Sequence, residues 1–252
     1  MISGWALIVG GLLVAALVAT IAALALAARH SRRGDDPTTL VRATQIVGYV
    51  WAGASAIGAV VSLCAILLTP QVTITMPIQQ FWPQLPAGVV IDGGTATRAA
   101  GGFESVTLTL DGLSVGARVT WAISEMLGWV ISGALAALVA VACGSMRSGN
   151  AFAPVVARTA SVAAVIVAGG GIVREILRGI SGSMASAETF ESTGGSWTDI
   201  PGIESPFEAW IPQSTFLVEI PFWPIAAGLA LAALAAIFRY GSRLQRDTEG
   251  LV

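Results

Sequence analysis

Charged side chains are absent from residues 1–28 and again from residues 43–91, and Ala, Val, Leu, Ile and Gly dominate the apolar parts of both runs. Apolar stretches recur at 119–143, 159–180 and 220–238, separated by short segments that hold most of the arginines. A helix rises ~1.5 Å per residue, so ~20 apolar residues cross a bilayer core. The pattern predicts a mainly α, polytopic membrane helix bundle with five transmembrane helices, over 1–28, 43–68, 119–143, 159–180 and 220–238. The segments 29–42, 69–118, 144–158, 181–219 and 239–252 connect or follow them.

One connection has a pattern of its own. Val72, Ile74 and Met76 alternate with Thr73 and Thr75, and Val106, Leu108 and Leu110 alternate with Thr107 and Thr109 before an Asp111-Gly112 turn. Period-two alternation of β-branched residues marks half-buried strands. A small extracytoplasmic antiparallel β element is therefore expected within 69–118, with Val89-Val90-Ile91 as a third candidate strand. Segment 181–219, rich in Ser, Gly and Glu, shows no convincing period and reads as a loop. Its Trp197 and Trp210 either pack over the β element or form an outer docking surface, which exposed aromatics suit.

Composition agrees with a bilayer environment. Charged residues are 11% of the chain, against about 25% in soluble domains, and the mean hydropathy is +0.78. All basic residues are Arg. Cytoplasmic connections of membrane proteins are enriched in Lys and Arg. Placing 29–42, 144–158 and 239–252 inside puts Arg29, Arg32, Arg33, Arg42, Arg147, Arg158, Arg239, Arg243 and Arg246 there. Only Arg98, Arg118, Arg174 and Arg178 stay outside or at the boundary. The expected topology is N-terminus outside and C-terminus cytoplasmic, in a bacterial cytoplasmic membrane. Residues 1–28 read as a retained helix and not a signal peptide, because their positive charges follow the apolar run. Asp36-Pro37 reads as an N-cap with Pro at the first helical position. Trp5, Trp121, Trp129, Phe222 and Trp223 suit an interfacial aromatic belt.

Glu125, Arg174, Glu175 and Arg178 are the ionisable residues within or bordering the predicted spans. Charge at such positions is costly and normally paired, so an ion pair between Glu125 and Arg174 or Arg178 is expected. It serves either as a helix-to-helix clamp or as a polar gate. Gly169-Gly170-Gly171 reads as a close-packing point between helices, as do Gly48/Ala52 and Gly128/Ser132. Cys64 and Cys143 read as small packing residues near opposite membrane faces, not as a disulfide.

Between the third and fourth spans, Met146-Arg147-Ser148-Gly149-Asn150-Ala151-Phe152-Ala153-Pro154 precedes Ala157-Arg158. With the tail from Phe238 through Gly241, Leu244, Gln245 and Asp247, this resembles an uncharacterised bacterial multi-pass membrane protein family, domain of unknown function 2975, over about residues 43–252. Ala151 and Ala153 stand where that family has Pro and Thr, and residues 1–28 have no counterpart in its four-helix pattern. The resemblance implies an architecture and a cytoplasmic contact surface, but no reaction. On physical grounds, Arg147, Gly149, Phe152, Pro154, Arg158, Arg243 and Asp247 are the expected contacts with a cytosolic partner or with anionic lipid headgroups.

Enzymatic chemistry finds little support. The sole histidine, His30, lies in a basic turn, there is no Lys for a Walker motif, and no His/Cys cluster has metal-ligand spacing. No cofactor and no direct nucleic-acid contact are expected. The reading is a non-catalytic sensor, regulatory or scaffold subunit with the bilayer and a protein as partners. The alternative is a small transporter or channel subunit built on the Glu/Arg cluster.

Overall fold

The computed structural model describes residues 37–89, 93, 95–96, 98–191, 194–198, 200–201 and 203–249; the predicted span at 1–28 and residues Asp36, Val90 and Ile91 lie outside these. In chain order the elements are α1 (Pro37–Leu68), β1 (Gln71–Phe81), β2 (Phe103–Asp111), α2 (Val115–Arg147) and α3 (Pro154–Val165). A π-helical turn (Ile166–Gly170), α4 (Gly171–Phe190), α5 (Pro206–Trp210) and α6 (Trp223–Glu249) follow. Among the described residues, four helical stretches are long and apolar enough to cross a membrane: Thr39–Leu68, Val115–Arg147, Pro154–Phe190 and Trp223–Gln245. Their apolar side chains face outward, with Ile57 66%, Val165 72% and Leu229 67% exposed. A water-soluble bundle would bury such a surface; this is a membrane protein.

The helices outrun their predicted cores. α1 has 32 residues and α2 has 33, about 50 Å each at ~1.5 Å per residue. Pro37 is the first residue of α1 and Pro154 of α3, positions where a missing N–H is harmless. The chain groups into two compact units, one holding the described parts of Met1–Gly58, Trp129–Gly170 and Trp223–Val252, the other Ala59–Gly128 and Gly171–Phe222.

In the first unit, small residues set the helix spacing. A Cβ on Gly48 would lie 2.9 Å from the Ala140 Cβ, and one on Gly228 2.5 Å from the Ala168 Cβ. Leu138, Ala160, Ala163 and Ala235 form a small buried core. With hydrocarbon outside, such bundles rest on close packing and interhelical hydrogen bonds. Trp51 Nε1 donates to Ser132 Oγ at 2.9 Å and Arg239 Nη2 to Ser161 Oγ at 2.9 Å. Two members of the glycine triplet do not act this way. Gly169 and Gly170 belong to the π-helical turn, a Cβ on Gly169 would meet nothing within 4 Å, and one on Gly170 would make only ordinary contact with Ile131.

The second unit is built on the hairpin. β1 and β2 pair antiparallel from Gln71↔Asp111 to Pro77↔Ser105, then shift register before Phe81↔Phe103. The shift follows Pro77, which has no N–H for the ladder. Val72, Ile74, Met76 and Ile78 are buried while the other face shows hydroxyl pairs, Thr73–Thr109 at 2.9 Å and Thr75–Thr107 at 2.8 Å. The inner face packs on Leu113, Ala117, Trp121 and Ala185. Trp121 is thus a core residue, not part of an interfacial belt. Val89 lies outside any strand.

Residues 181–190, expected as loop, continue α4. Ser181, Gly182, Ser183, Ala185 and Ser186 are buried because their small size brings the helix onto β1. A Cβ on Gly182 would lie 2.9 Å from the Thr75 carbonyl oxygen. Ser186 Oγ donates to the Pro77 carbonyl at 2.6 Å. Glu188 is no loop carboxylate either: its Oε2 accepts the Ser114 N–H at 2.9 Å, just ahead of α2, whose Ala117 N–H is capped by Ser114 Oγ. Residues 211–217 add a bridge, Ile78↔Ser214, beside β1.

Candidate functional site

The ionisable cluster assembles within the second unit, from α2 and α4. Arg174 Nη1 lies 2.5 Å from Glu175 Oε1, and Nη2 lies 3.9 Å from Glu125 Oε1. The three side chains are 21%, 19% and 34% exposed. The guanidinium has room because residue 128 is Gly: a Cβ there would sit 3.0 Å from Arg174 Nε. That Nε is buried and has no hydrogen-bond partner among the described residues. Arg178 does not join an ion pair; its guanidinium lies over the Trp121 ring at 5.6 Å from the centroid, a cation–π arrangement. Of the four residues expected as an ion-pair cluster, Glu125, Arg174 and Glu175 meet and Arg178 does not, and the distances rank the rest. Glu175 holds Arg174 closely, Glu125 lies farther off, and the aromatic core holds Arg178.

Arg118 was expected only at a boundary. Its Nη2 donates to the carbonyls of Thr69 and Pro70, where a cation complements the C-terminal end of the α1 dipole. Nothing in the local sequence around 118 signals that link, which joins residues 48 and 49 positions apart.

The 147–158 turn is explained residue by residue. Gly149 has φ +76°, the left-handed conformation. Asn150 N–H donates to the Ser145 carbonyl and Gly149 N–H to the Met146 carbonyl, the pair of bonds that closes a Schellman helix end. Ala153 caps α3 without a side-chain bond, as expected for a position lacking a hydroxyl. Arg147 Nη1 donates to Gln45 Oε1 at 2.7 Å. Phe152 lies against Gly241, where a Cβ would come within 2.4 Å of its ring, and against Phe238 with centroids 6.0 Å apart. Arg158 and Arg243 line one recess together with Arg239. Asp247 lies in α6.

At the hairpin's open end, the unforeseen group is aromatic. Trp82 and Phe103 stack with centroids 5.4 Å apart and planes 10° from parallel, and Arg98 lies over Trp82 at 4.7 Å from its centroid. Arg98 is fixed by donating to the Gly101 carbonyl at 2.6 Å. Gly102 permits the approach, since a Cβ would come 2.6 Å from the Phe81 carbonyl oxygen. Both rings stay about half exposed, 48% and 54%. Trp210 Nε1 donates to the Gln84 carbonyl at 2.9 Å, and Trp197 meets Phe207 edge-on at 5.5 Å, so both expected docking tryptophans are half committed to packing. Cys64 and Cys143 are free. No His/Cys/Asp/Glu group suited to a metal occurs among the described residues.

Comparison of the chain with models of known families, with curated proteins and with solved structures finds no match. The resemblance to domain of unknown function 2975 over residues 43–252 therefore does not hold. The motif behind it is a Schellman stop at Gly149 followed by Pro154 at a helix start. Any short connection between two membrane helices can use that chemistry, so it carries no ancestry.

Proposed function

We propose that this is a non-catalytic membrane protein that works by contact, as a sensor, regulatory or scaffold subunit. Its place is a bacterial cytoplasmic membrane, with the hairpin outside and residues 144–158 and 239–252 inside. The arginine distribution supports that orientation. The observation that carries the reading is the Arg98–Trp82–Phe103 stack. Trp and Arg dominate the energetics of protein contacts, and here a rigid, internally cored hairpin holds them half exposed. Ordering the stack in advance lowers the entropic cost of docking.

A photocrosslinking residue placed at 82 or 103 in native membranes tests this. The expected result is one discrete protein adduct from both positions and none from position 109 on the threonine face. Lipid adducts alone would overturn the reading. So would proteoliposome flux that Glu125→Ala abolishes, which would install the cluster as a transport gate.

A further inference from the structure

We infer that α3 and α6 form a binding site for one anionic phospholipid. Arg158 from α3 and Arg239 and Arg243 from α6 line a single recess of 270 Å³ whose other lining residues among those described, Pro154, Ala157 and Ser242, bring no carboxylate. Arg239 and Arg243 sit four residues apart on one helix face, where their like charges repel weakly and an anion between them would be stabilised. Neither they nor Arg158 make an ion pair among the described residues. A second recess of 480 Å³ shares Arg239 and Arg243 and continues along Ala164, Val165, Ala232 and Ala236. One end of the groove is therefore cationic and the rest apolar, bordered by Tyr240, which is 67% exposed.

This polarity matches a phospholipid and not a free anion. The phosphodiester takes charge-assisted hydrogen bonds from the guanidiniums, and an acyl chain lies along the alanine-lined wall, on helices long and apolar enough to cross a membrane. Each basic residue near an anionic lipid surface contributes about fivefold in binding. Arg158→Gln with Arg243→Gln should then weaken binding roughly 30-fold, leaving the Arg239–Ser161 hydrogen bond in place.

The test uses the full chain in mixed micelles, titrated with phosphatidylglycerol, phosphatidylcholine of the same acyl chains, or glycerol phosphate, with lipid-dependent thermal stabilisation as readout. Phosphatidylglycerol should bind at least about tenfold more tightly than phosphatidylcholine, and glycerol phosphate should not compete. The double variant should lose that preference, and Ala236→Phe, which fills the exposed apolar wall without altering charge, should weaken phosphatidylglycerol. Equal binding of the two lipids by the wild type would overturn the proposal. Full competition by glycerol phosphate, which would make it a free-phosphate site, or undiminished binding by both variants would do the same.

Discussion

Removing the two carboxylates around Arg174 separately and together tests whether the cluster is a helix clamp. At 3.9 Å and an effective dielectric of ~20, a pair of unit charges attracts by about 4 kcal/mol before any cost is counted. Glu125 is one-third exposed, so solvent screening and side-chain ordering reduce the net value of Glu125→Gln to about 0.5–1 kcal/mol. Glu175 lies at 2.5 Å and is 19% exposed, a charge-assisted hydrogen bond, so Glu175→Gln should cost about 1.5–2 kcal/mol. Losing both strands a largely buried guanidinium whose Nε already lacks a partner. The double variant should then exceed the sum of the single effects by about 1 kcal/mol. Denaturant unfolding in detergent, followed by tryptophan fluorescence with exposed Glu219→Gln as the control, reads all three. A Glu125→Gln effect as large as that of Glu175→Gln, or strict additivity, would refute the ranking drawn from the distances.

Ile74→Ala removes a fully buried side chain from the hairpin core and should cost about 2–5 kcal/mol, read as faster amide exchange across 106–110. Thr73→Ala, on the hydroxyl face, should cost no more than ~1 kcal/mol; equal effects would contradict the assignment of faces. Gly228→Val should strongly destabilise the α3–α6 contact, because its Cβ would sit 2.5 Å from that of Ala168 and 3.1 Å from the Ala164 carbonyl oxygen; a wild-type melting temperature would show the helices free to separate. Gly149→Ala forces a side chain into φ +76° and should lose about 1–2 kcal/mol, whereas Gly53→Ala, in open space, should be neutral or slightly stabilising.

The parts of this fold legible in the sequence are those governed by a strict period. Alternation at 72–76 and 106–110 names the strands and their buried faces, since a pleat assigns successive side chains to opposite sides. Long charge-free runs name the spans within the described residues, while the span predicted at 1–28 lies outside them. Helix extent was less legible. Ser181–Ser186 reads as loop because its composition is polar, yet the residues it buries, Ser181, Gly182, Ser183, Ala185 and Ser186, are all small, and smallness decides how closely α4 meets β1. Gly169 and Gly170 mislead in the opposite sense: small size allows close packing but does not require it, and here both lie in a π-helical turn. The Glu/Arg cluster was found because charge in an apolar run is conspicuous. The Arg98–Trp82–Phe103 stack was missed because its members lie in a Pro/Gly-rich stretch with no period to align them.

The arginines separate structural from binding roles more sharply than the family-like motif did. Arg118 is held by two carbonyls, Arg174 by carboxylates, Arg147 by an amide, and Arg178 by a ring. Arg118, Arg147 and Arg178, and Arg174 through Glu125, each tie a helix to a segment distant in sequence, so replacing any of these side chains should register first as lost stability. Arg98 differs because its platform is half exposed, and Arg158 and Arg243 differ because they face a recess with no carboxylate in its lining among the described residues. At these three positions the charge has been desolvated only in part and no ion pair is made among the described residues. Their removal should therefore leave folding nearly unchanged and act on what docks. Lack of lysine sharpens the distinction, since every cation here has the planar fork suited to carboxylate and phosphate. An Arg158→Lys/Arg243→Lys variant keeps the charge while losing that geometry, so it should retain salt-sensitive attraction to anionic vesicles yet lose tight phospholipid retention.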